Sequence, residues 1–131
     1  MVPLEVTHTA LVTPDILESI QSINSNFSKI LIELLLFFKT TYLDVFNMKD
    51  PPLHDPCAVA FVIDPSLFEY RLMRVDIETS SSLSYGQTVC DIYGMSKKKK
   101  NAYVCFKMDV PKFWELMINA IKNADSASRI N

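Results

Sequence analysis

A long apolar segment in the first half of the chain constrains the fold more than any other feature. From Phe27 to Phe46 apolar residues recur at helical spacing over about five turns. The opposite side of the same helix is also apolar, at Ile32, Leu36 and Phe37. A helix that is apolar on two sides needs packing partners on two sides. We therefore predict a central core helix here, and a partner-binding surface is the second interpretation.

The same segment does not suit a membrane. Its longest apolar block, Ile30 to Phe38, is interrupted by Glu33 and is much shorter than the roughly 20 residues that a bilayer span requires. Lys29 and Lys39 do not combine into the basic face of an amphipathic membrane helix. The sequence therefore predicts no membrane partner.

Composition predicts a cytoplasmic protein. The chain has 131 residues, of which 49% are hydrophobic, so one domain can form a core without disulfides. Its 13 basic and 15 acidic residues are nearly balanced, and the lysine run 97–100 is interpreted as a solvated loop. Nucleic acid is therefore not an expected partner.

The cysteines predict a reducing compartment. Cys57, Cys90 and Cys105 are widely spaced, which is typical of buried thiols there. Residues 1–5 lack the features of a signal peptide.

Capping residues and periodicity predict the first helices and the first strand. Thr13 and Pro14 should begin a helix. A second short helix is predicted from Pro56 to Ile63. It should end there because the following Asp-Pro pair pushes the chain out of helical geometry. Residues 2–7 form a short apolar, β-prone run that predicts a strand buried inside a sheet.

The second half of the chain is predicted to contain strands and one more helix. Alternating apolar residues indicate three strands, at 68–79, 86–93 and 101–108. A last helix should begin near Val110, where Pro111 occupies its first turn. Residues 125–131 are polar and are predicted to form a flexible tail.

His54 and Asp55 are the strongest candidates for a functional site. They place an imidazole beside a carboxylate where a proline-rich loop leads into an apolar helix. The simpler interpretation, which the residue types alone favour, is that Asp55 caps the helix before Pro56 and that His54 is an ordinary loop residue. His8 is interpreted as a hydrogen-bonded structural histidine, because it and His54 alone would make a poor zinc site.

The segment PLHDPCAVAFVIDPSLF, residues 52–68, closely resembles the part of the inosine-uridine preferring nucleoside hydrolases that carries a histidine and a calcium-binding aspartate. The similarity continues in the same order through PLEVTHTALVT, VDIETSSSLSYGQTVCD and FWELMINAI. The resemblance implies an α/β fold and a single partial domain, residues 1–131, that is the C-terminal part of the nucleoside hydrolase fold. A partial, mostly parallel sheet flanked by helices and a small β-hairpin region are then expected.

The resemblance also implies a function, the hydrolysis of ribonucleosides to base and ribose. In that family a calcium ion holds the ribose hydroxyls and a water, an aspartate activates the water, and a histidine assists the departing base. Carried over residue by residue, the catalytic and substrate-binding histidine falls on His54 and the calcium ligand on Asp55. An aromatic residue beside the base falls on Tyr42. An imidazole can donate a proton near neutral pH, which suits its role beside the leaving base.

One departure from the family decides what we expect of the chain alone. The family's N-terminal aspartate cluster, of the form DTDPGxDD, supplies most calcium ligands and the general base, and the 131 residues do not contain it. Calcium requires about six to eight oxygen ligands, which Asp55 alone cannot provide. We therefore predict that this fragment alone is inactive. The alternative is a non-catalytic truncated homologue that uses the helix from Phe27 to Phe46 for interaction or homo-oligomerisation.

Overall fold

The computed structural model describes residues 1–127, which form helices around a three-stranded sheet. The helices are α1 (Leu4–Thr7), α2 (Pro14–Gln21), α3 (Asn26–Phe46), α4 (Asp55–Ile63) and α5 (Val110–Ala127). The strands are β1 (Phe68–Ile77), β2 (Thr88–Asp91) and β3 (Ala102–Met108), and a 3-10 turn, Pro65–Leu67, precedes β1. The predicted α/β class is confirmed.

The sheet corrects the prediction of a mostly parallel arrangement. The strand order is β2-β1-β3, and β1 is antiparallel to both neighbours. The predicted hairpin region is present as β1 and β2. A parallel contact lies on the other edge of β3, where the Met1 N–H donates to the Tyr103 carbonyl at 2.7 Å and the Cys105 N–H donates to the Met1 carbonyl at 3.0 Å. Most of the described pairing is therefore antiparallel.

The segment predicted as a buried strand, residues 2–7, contains the short helix α1, so this prediction is wrong. Val6 and Thr7 are both buried, with 1% and 3% of their surface exposed. Successive side chains of a strand point to opposite faces, whereas one turn of helix can direct two neighbours inward. The run is too short for periodicity to decide between the two.

The main core lies between α1, α4, α5 and the ends of β1 and β3. Its members are the buried residues Val6, Ala10, Val12, Cys57, Ala60, Leu67, Phe68, Cys105, Met108, Phe113 and Trp114. Cys57 and Cys105 are buried free thiols, and Cys90 is half-exposed. Burial raises the pKa of the Cys57 thiol to about 11, so it stays protonated at neutral pH.

Helix α3 has the predicted extent, but it is not a central core helix. Ser25 and Ser28 form a reciprocal capping box at its start. Packing covers only part of the helix, and eight of its large apolar side chains are 46% to 68% exposed: Ile30, Leu34, Leu36, Phe37, Phe38, Leu43, Val45 and Phe46. Among residues 1–127 no helix combines the length and the hydropathy needed to cross a membrane. The apolar pattern correctly predicted the helix and incorrectly predicted its burial.

Helix α5 continues to Ala127. The prediction of a flexible tail is wrong for residues 125–127, which are helical. The remainder of that prediction, residues 128–131, lies outside the described residues.

Replacing Phe113 with alanine should destabilise the fold strongly. Its ring is fully buried, with 0% exposed, and truncation of a buried phenylalanine typically costs about 3–5 kcal/mol. Tyr93→Ala is the matched control, because 88% of Tyr93 is exposed. Urea denaturation would measure both free energies of unfolding. Similar midpoints for the two variants would show that Phe113 does not lie in the core.

Candidate functional site

A short antiparallel bridge between residues 10–12 and 51–53 brings the candidate site together. The Val12 N–H donates to the Pro51 carbonyl at 2.9 Å, and the Leu53 N–H donates to the Ala10 carbonyl at 2.9 Å. Leu11 and Pro52 face each other between these bonds. Ala10 and Val12 belong to the core. The bridge therefore fixes the loop that precedes α4 against the loop that follows α1.

The end of α3 reaches the same place because the chain reverses direction there. Asn47 closes the helix in the left-handed conformation, with a φ of 54°, which asparagine tolerates better than most residues. The Met48 N–H then donates to the Tyr42 carbonyl at 3.2 Å. An ion pair of 2.8 Å between Lys39 and Asp50 ties the following loop back to α3.

The His54 ring has a hydrogen-bonding partner on each nitrogen. Its Nδ1 lies 2.7 Å from the Thr7 hydroxyl on α1, and its Nε2 lies 2.9 Å from the Tyr42 hydroxyl on α3. The His8 ring packs edge-on against it, with the ring centroids 5.5 Å apart. His54 is therefore held by side chains from two helices rather than projecting from an unstructured loop.

The surroundings of His54 favour its neutral form. Burial lowers the pKa of His54 from the ordinary value of 6.5, and the positive charge that His8 can carry lowers it further. The Asp55 carboxylate acts in the opposite direction, as the smallest of the three influences. At neutral pH the ring is thus mainly an uncharged imidazole.

Asp55 is the first residue of α4 and does not act as the predicted helix cap. The position before the helix is occupied by His54, and no side chain there makes a capping hydrogen bond. The Asp55 side chain is exposed beside His54. The capping interpretation is therefore wrong, and the carboxylate remains accessible to a ligand.

His54, Asp55 and Tyr42 line one open cavity of about 260 Å³. Its other walls are mainly apolar and include Leu35 and Phe38 of α3. Two larger cavities, of about 410 and 490 Å³, lie elsewhere and are lined by none of these three residues. Ligand pockets usually enclose about 300–1,000 Å³. The His54 cavity therefore has the composition of a binding site but less than the usual volume.

The described residues do not by themselves fit a calcium ion. Within residues 1–127 no three His, Cys, Asp or Glu side chains are placed to hold a metal together. Calcium prefers about six to eight oxygen ligands, and Asp55 provides one carboxylate at this cavity.

His8, which is predicted to be a hydrogen-bonded structural residue, is exposed in the structure.

The structure brings together the three residues that the sequence singled out. Tyr42 and His54 are directly hydrogen-bonded, and Asp55 lines the same cavity. Their catalytic, substrate-binding and metal-binding roles stay predictions. Sequence reasoning missed Thr7, because nothing in its part of the sequence indicates a contact 47 positions away.

Comparisons with known proteins find relatives that match most of this chain. A family model described as "Inosine-uridine preferring nucleoside hydrolase" matches residues 1–115. The chain is 54% identical to a probable ribonucleoside hydrolase of Dictyostelium discoideum, and the match covers 94% of this chain and 38% of that protein. It is 36% identical to the inosine-uridine preferring nucleoside hydrolase of Crithidia fasciculata, over 93% of this chain and 39% of that protein.

A solved structure shows the same fold. The purine-preferring ribonucleoside hydrolase from Gardnerella vaginalis superposes with a TM-score of 0.83 at 24% identity, over 98% of this chain and 40% of that one. The chain belongs to the inosine-uridine preferring nucleoside hydrolase family. It spans about two fifths of the length of the relatives that it matches.

The two neighbours of His54 should shift its pKa in opposite directions. His8→Ala removes a repelling charge and should raise the His54 pKa, whereas Asp55→Asn removes an attracting charge and should lower it. NMR titration of the ring protons would measure both. Shifts of the same sign in the two variants would contradict this account.

The same pKa predicts how stability depends on pH. The pKa of His54 in the folded chain lies below the ordinary value of 6.5. As the pH falls below 6.5, the unfolded chain therefore binds more protons at His54 than the folded chain does. The His54 contribution to the free energy of unfolding should therefore decrease below pH 6.5 and level off below the folded pKa. Urea denaturation at several pH values, with His54→Gln as the reference, would measure it.

Proposed function

We propose that this chain supplies one wall of the active site of a nucleoside hydrolase, which cleaves the N-glycosidic bond of a ribonucleoside to give base and ribose. The observation that carries this proposal is His54, held between Thr7 and Tyr42 beside the exposed Asp55, in a chain that belongs to this family. His54 assists the leaving base, Tyr42 lies beside the base, and Asp55 is one calcium ligand in a complete site.

The position of His54 supports its role as a proton donor. When the N-glycosidic bond breaks, its electron pair moves to the base nitrogen, which needs a proton. Protonated His54 can supply that proton from Nε2, the nitrogen that lies 2.9 Å from the hydroxyl of Tyr42, which also lines the cavity. Its lowered pKa makes the protonated ring a stronger acid, and it also makes that protonated form the minor one at neutral pH. The oxygen of water joins the ribose carbon, and the proton released by that water requires a base that these residues do not contribute.

The incomplete site supports the proposal that the fragment alone is inactive. The cavity of about 260 Å³ is open, and the residues described offer no cluster of metal ligands. When bound, calcium would hold the ribose hydroxyls and a water, and Asp55 would be one of its ligands. The other ligands and the general base would come from polypeptide equivalent to the three fifths of the Dictyostelium discoideum relative that the match does not cover.

The proposal also covers the cellular location and the partners of this chain. Its free thiols, of which Cys57 and Cys105 are buried, support a reducing, cytoplasmic location. A ribonucleoside is the proposed small-molecule partner. The alternative role as an interaction or homo-oligomerisation module stays a prediction, and the exposed apolar side of α3 is the surface that it would use.

The purified chain should release no ribose from inosine or uridine, with calcium or with a chelator. The physical reason is that calcium and the attacking water lack most of their ligands here. A reducing-sugar assay, with the Crithidia fasciculata relative as the positive control, would measure it. Calcium-dependent release that disappears in His54→Ala would overturn the proposed inactivity and would indicate that a second copy completes the site.

A chimera would test the proposed roles of the residues. In it, this chain replaces the matching segment of the Dictyostelium discoideum relative, and the unmodified relative is assayed in parallel. His54→Ala should lower kcat by about 10²- to 10⁴-fold, as expected for loss of a proton donor. Asp55→Asn should raise the calcium concentration required by at least about tenfold.

The second Asp-Pro pair of the chain provides a matched control for this chimera. Asp64→Asn changes the same residue type, but Asp64 lies at the other end of α4 and bonds to Ser66. It should leave both kcat and the calcium requirement unchanged. If Asp55→Asn behaves like Asp64→Asn, Asp55 is not a calcium ligand.

A further inference from the structure

The contact between Thr7 and His54 is the shorter of the two hydrogen bonds that the ring makes. It measures 2.7 Å, against 2.9 Å for the bond to Tyr42. Thr7 is 3% exposed, so water cannot easily replace it as a partner. The two residues lie 47 positions apart, and the bridge of residues 10–12 with 51–53 brings them together.

The surroundings of Thr7 favour one direction of this bond. Its hydroxyl lies 3.4 Å from the Leu4 carbonyl and can donate to it. The hydroxyl oxygen is then an acceptor for an Nδ1–H of His54, and the Tyr42 hydroxyl can donate to the bare Nε2. In this arrangement the hydrogens on the Thr7 hydroxyl, on Nδ1 of His54 and on the Tyr42 hydroxyl each have an acceptor.

The opposite arrangement satisfies fewer groups. If Thr7 donates to Nδ1, the hydrogen must lie on Nε2 and point at the Tyr42 oxygen. The Tyr42 hydrogen then has no acceptor among the described residues, and Thr7 no longer donates to Leu4. Two of the three hydrogens then have an acceptor among the described residues, against three in the first arrangement, and an unpaired donor is disfavoured.

We propose that Thr7 is a positioning residue, which holds His54 in the Nδ1–H tautomer and directs Nε2 toward Tyr42 and the cavity. This inference rests on the proposed function, in which Nε2 exchanges a proton with the leaving base. Orientation of a histidine through its second nitrogen is a general way to fix which nitrogen is reactive.

Thr7 is well placed to act as a fixed acceptor. Its backbone N–H donates to the Pro3 carbonyl at 3.1 Å, and its carbonyl accepts from the Ala10 N–H at 3.0 Å. A threonine side chain has few χ1 rotamers, so a buried one keeps its hydroxyl in one direction. The neighbouring Val6 is 1% exposed, and it anchors the same turn in the core.

Nitrogen-15 NMR of the histidine rings tests this proposal directly on the purified chain. At about pH 9 the His54 ring is neutral, and its two nitrogens report which one carries hydrogen. The chain contains 2 histidines, so a His8→Gln variant assigns the signals. The proposal expects the Nδ1–H form for His54, although histidine in water prefers the Nε2–H form.

The Thr7→Val variant removes the acceptor and keeps the shape of the side chain. The ratio of the Nδ1–H form to the Nε2–H form should fall about five- to tenfold, as expected for the loss of one hydrogen bond. Thr7→Ser keeps the hydroxyl and should restore the wild-type signals. Thr9→Val is the matched control, because the Thr9 hydroxyl donates to the Val6 carbonyl at 2.7 Å and does not contact His54.

The wild-type spectrum keeps the test decisive even if Thr7→Val does not fold. A dominant Nε2–H form of His54 in the wild-type chain would overturn the proposal. An unchanged tautomer in folded Thr7→Val, or an equal change in Thr9→Val, would overturn it as well. Ribose release plays no part in this experiment, so a failure of the proposed hydrolase activity is measured separately, in the chimera.

Discussion

The backbone bridge between residues 10–12 and 51–53 is the constraint on which the candidate site depends. Two hydrogen bonds of 2.9 Å join these segments, and each contributes a net stabilisation of about 0.5–1.5 kcal/mol. Pro51 and Pro52 limit the conformations of the loop before it is bound, which reduces the entropy lost on folding. Because His54 follows Leu53 directly and Thr7 lies three residues before Ala10, the bridge sets the distance between the two side chains.

The site is polar and well defined on one side and open on the other. Helix α3 lines the cavity with Leu35, Phe38 and Tyr42, and its far side exposes large side chains such as Phe37 and Val45. Contiguous exposed apolar surface is unusual in a monomeric protein and generally indicates an interaction site. Together with a match to about two fifths of its relatives, this surface supports the proposal that further polypeptide completes the active site.

Most elements could be predicted because their signals are local. Proline and hydroxyl residues near helix starts and a sustained helical period predicted α2, α3, α4 and α5, and alternation predicted the three strands. The failures were long-range. The burial of α3 depends on what covers it, strand direction depends on which neighbours pair, and the short run in α1 fits a strand or a helix until the core selects the turn that buries Val6 and Thr7 together.

The sequence by itself determined the family, the helices and strands of the second half, and the pairing of an imidazole with a carboxylate at His54 and Asp55, because these depend on residues that are adjacent in the chain. Only the tertiary structure decided which atoms His54 touches. Its partners Thr7 and Tyr42 lie 47 and 12 positions away. No local pattern encodes such contacts, since they arise when the 10–12 and 51–53 bridge and the reversal at Asn47 bring separate helices together.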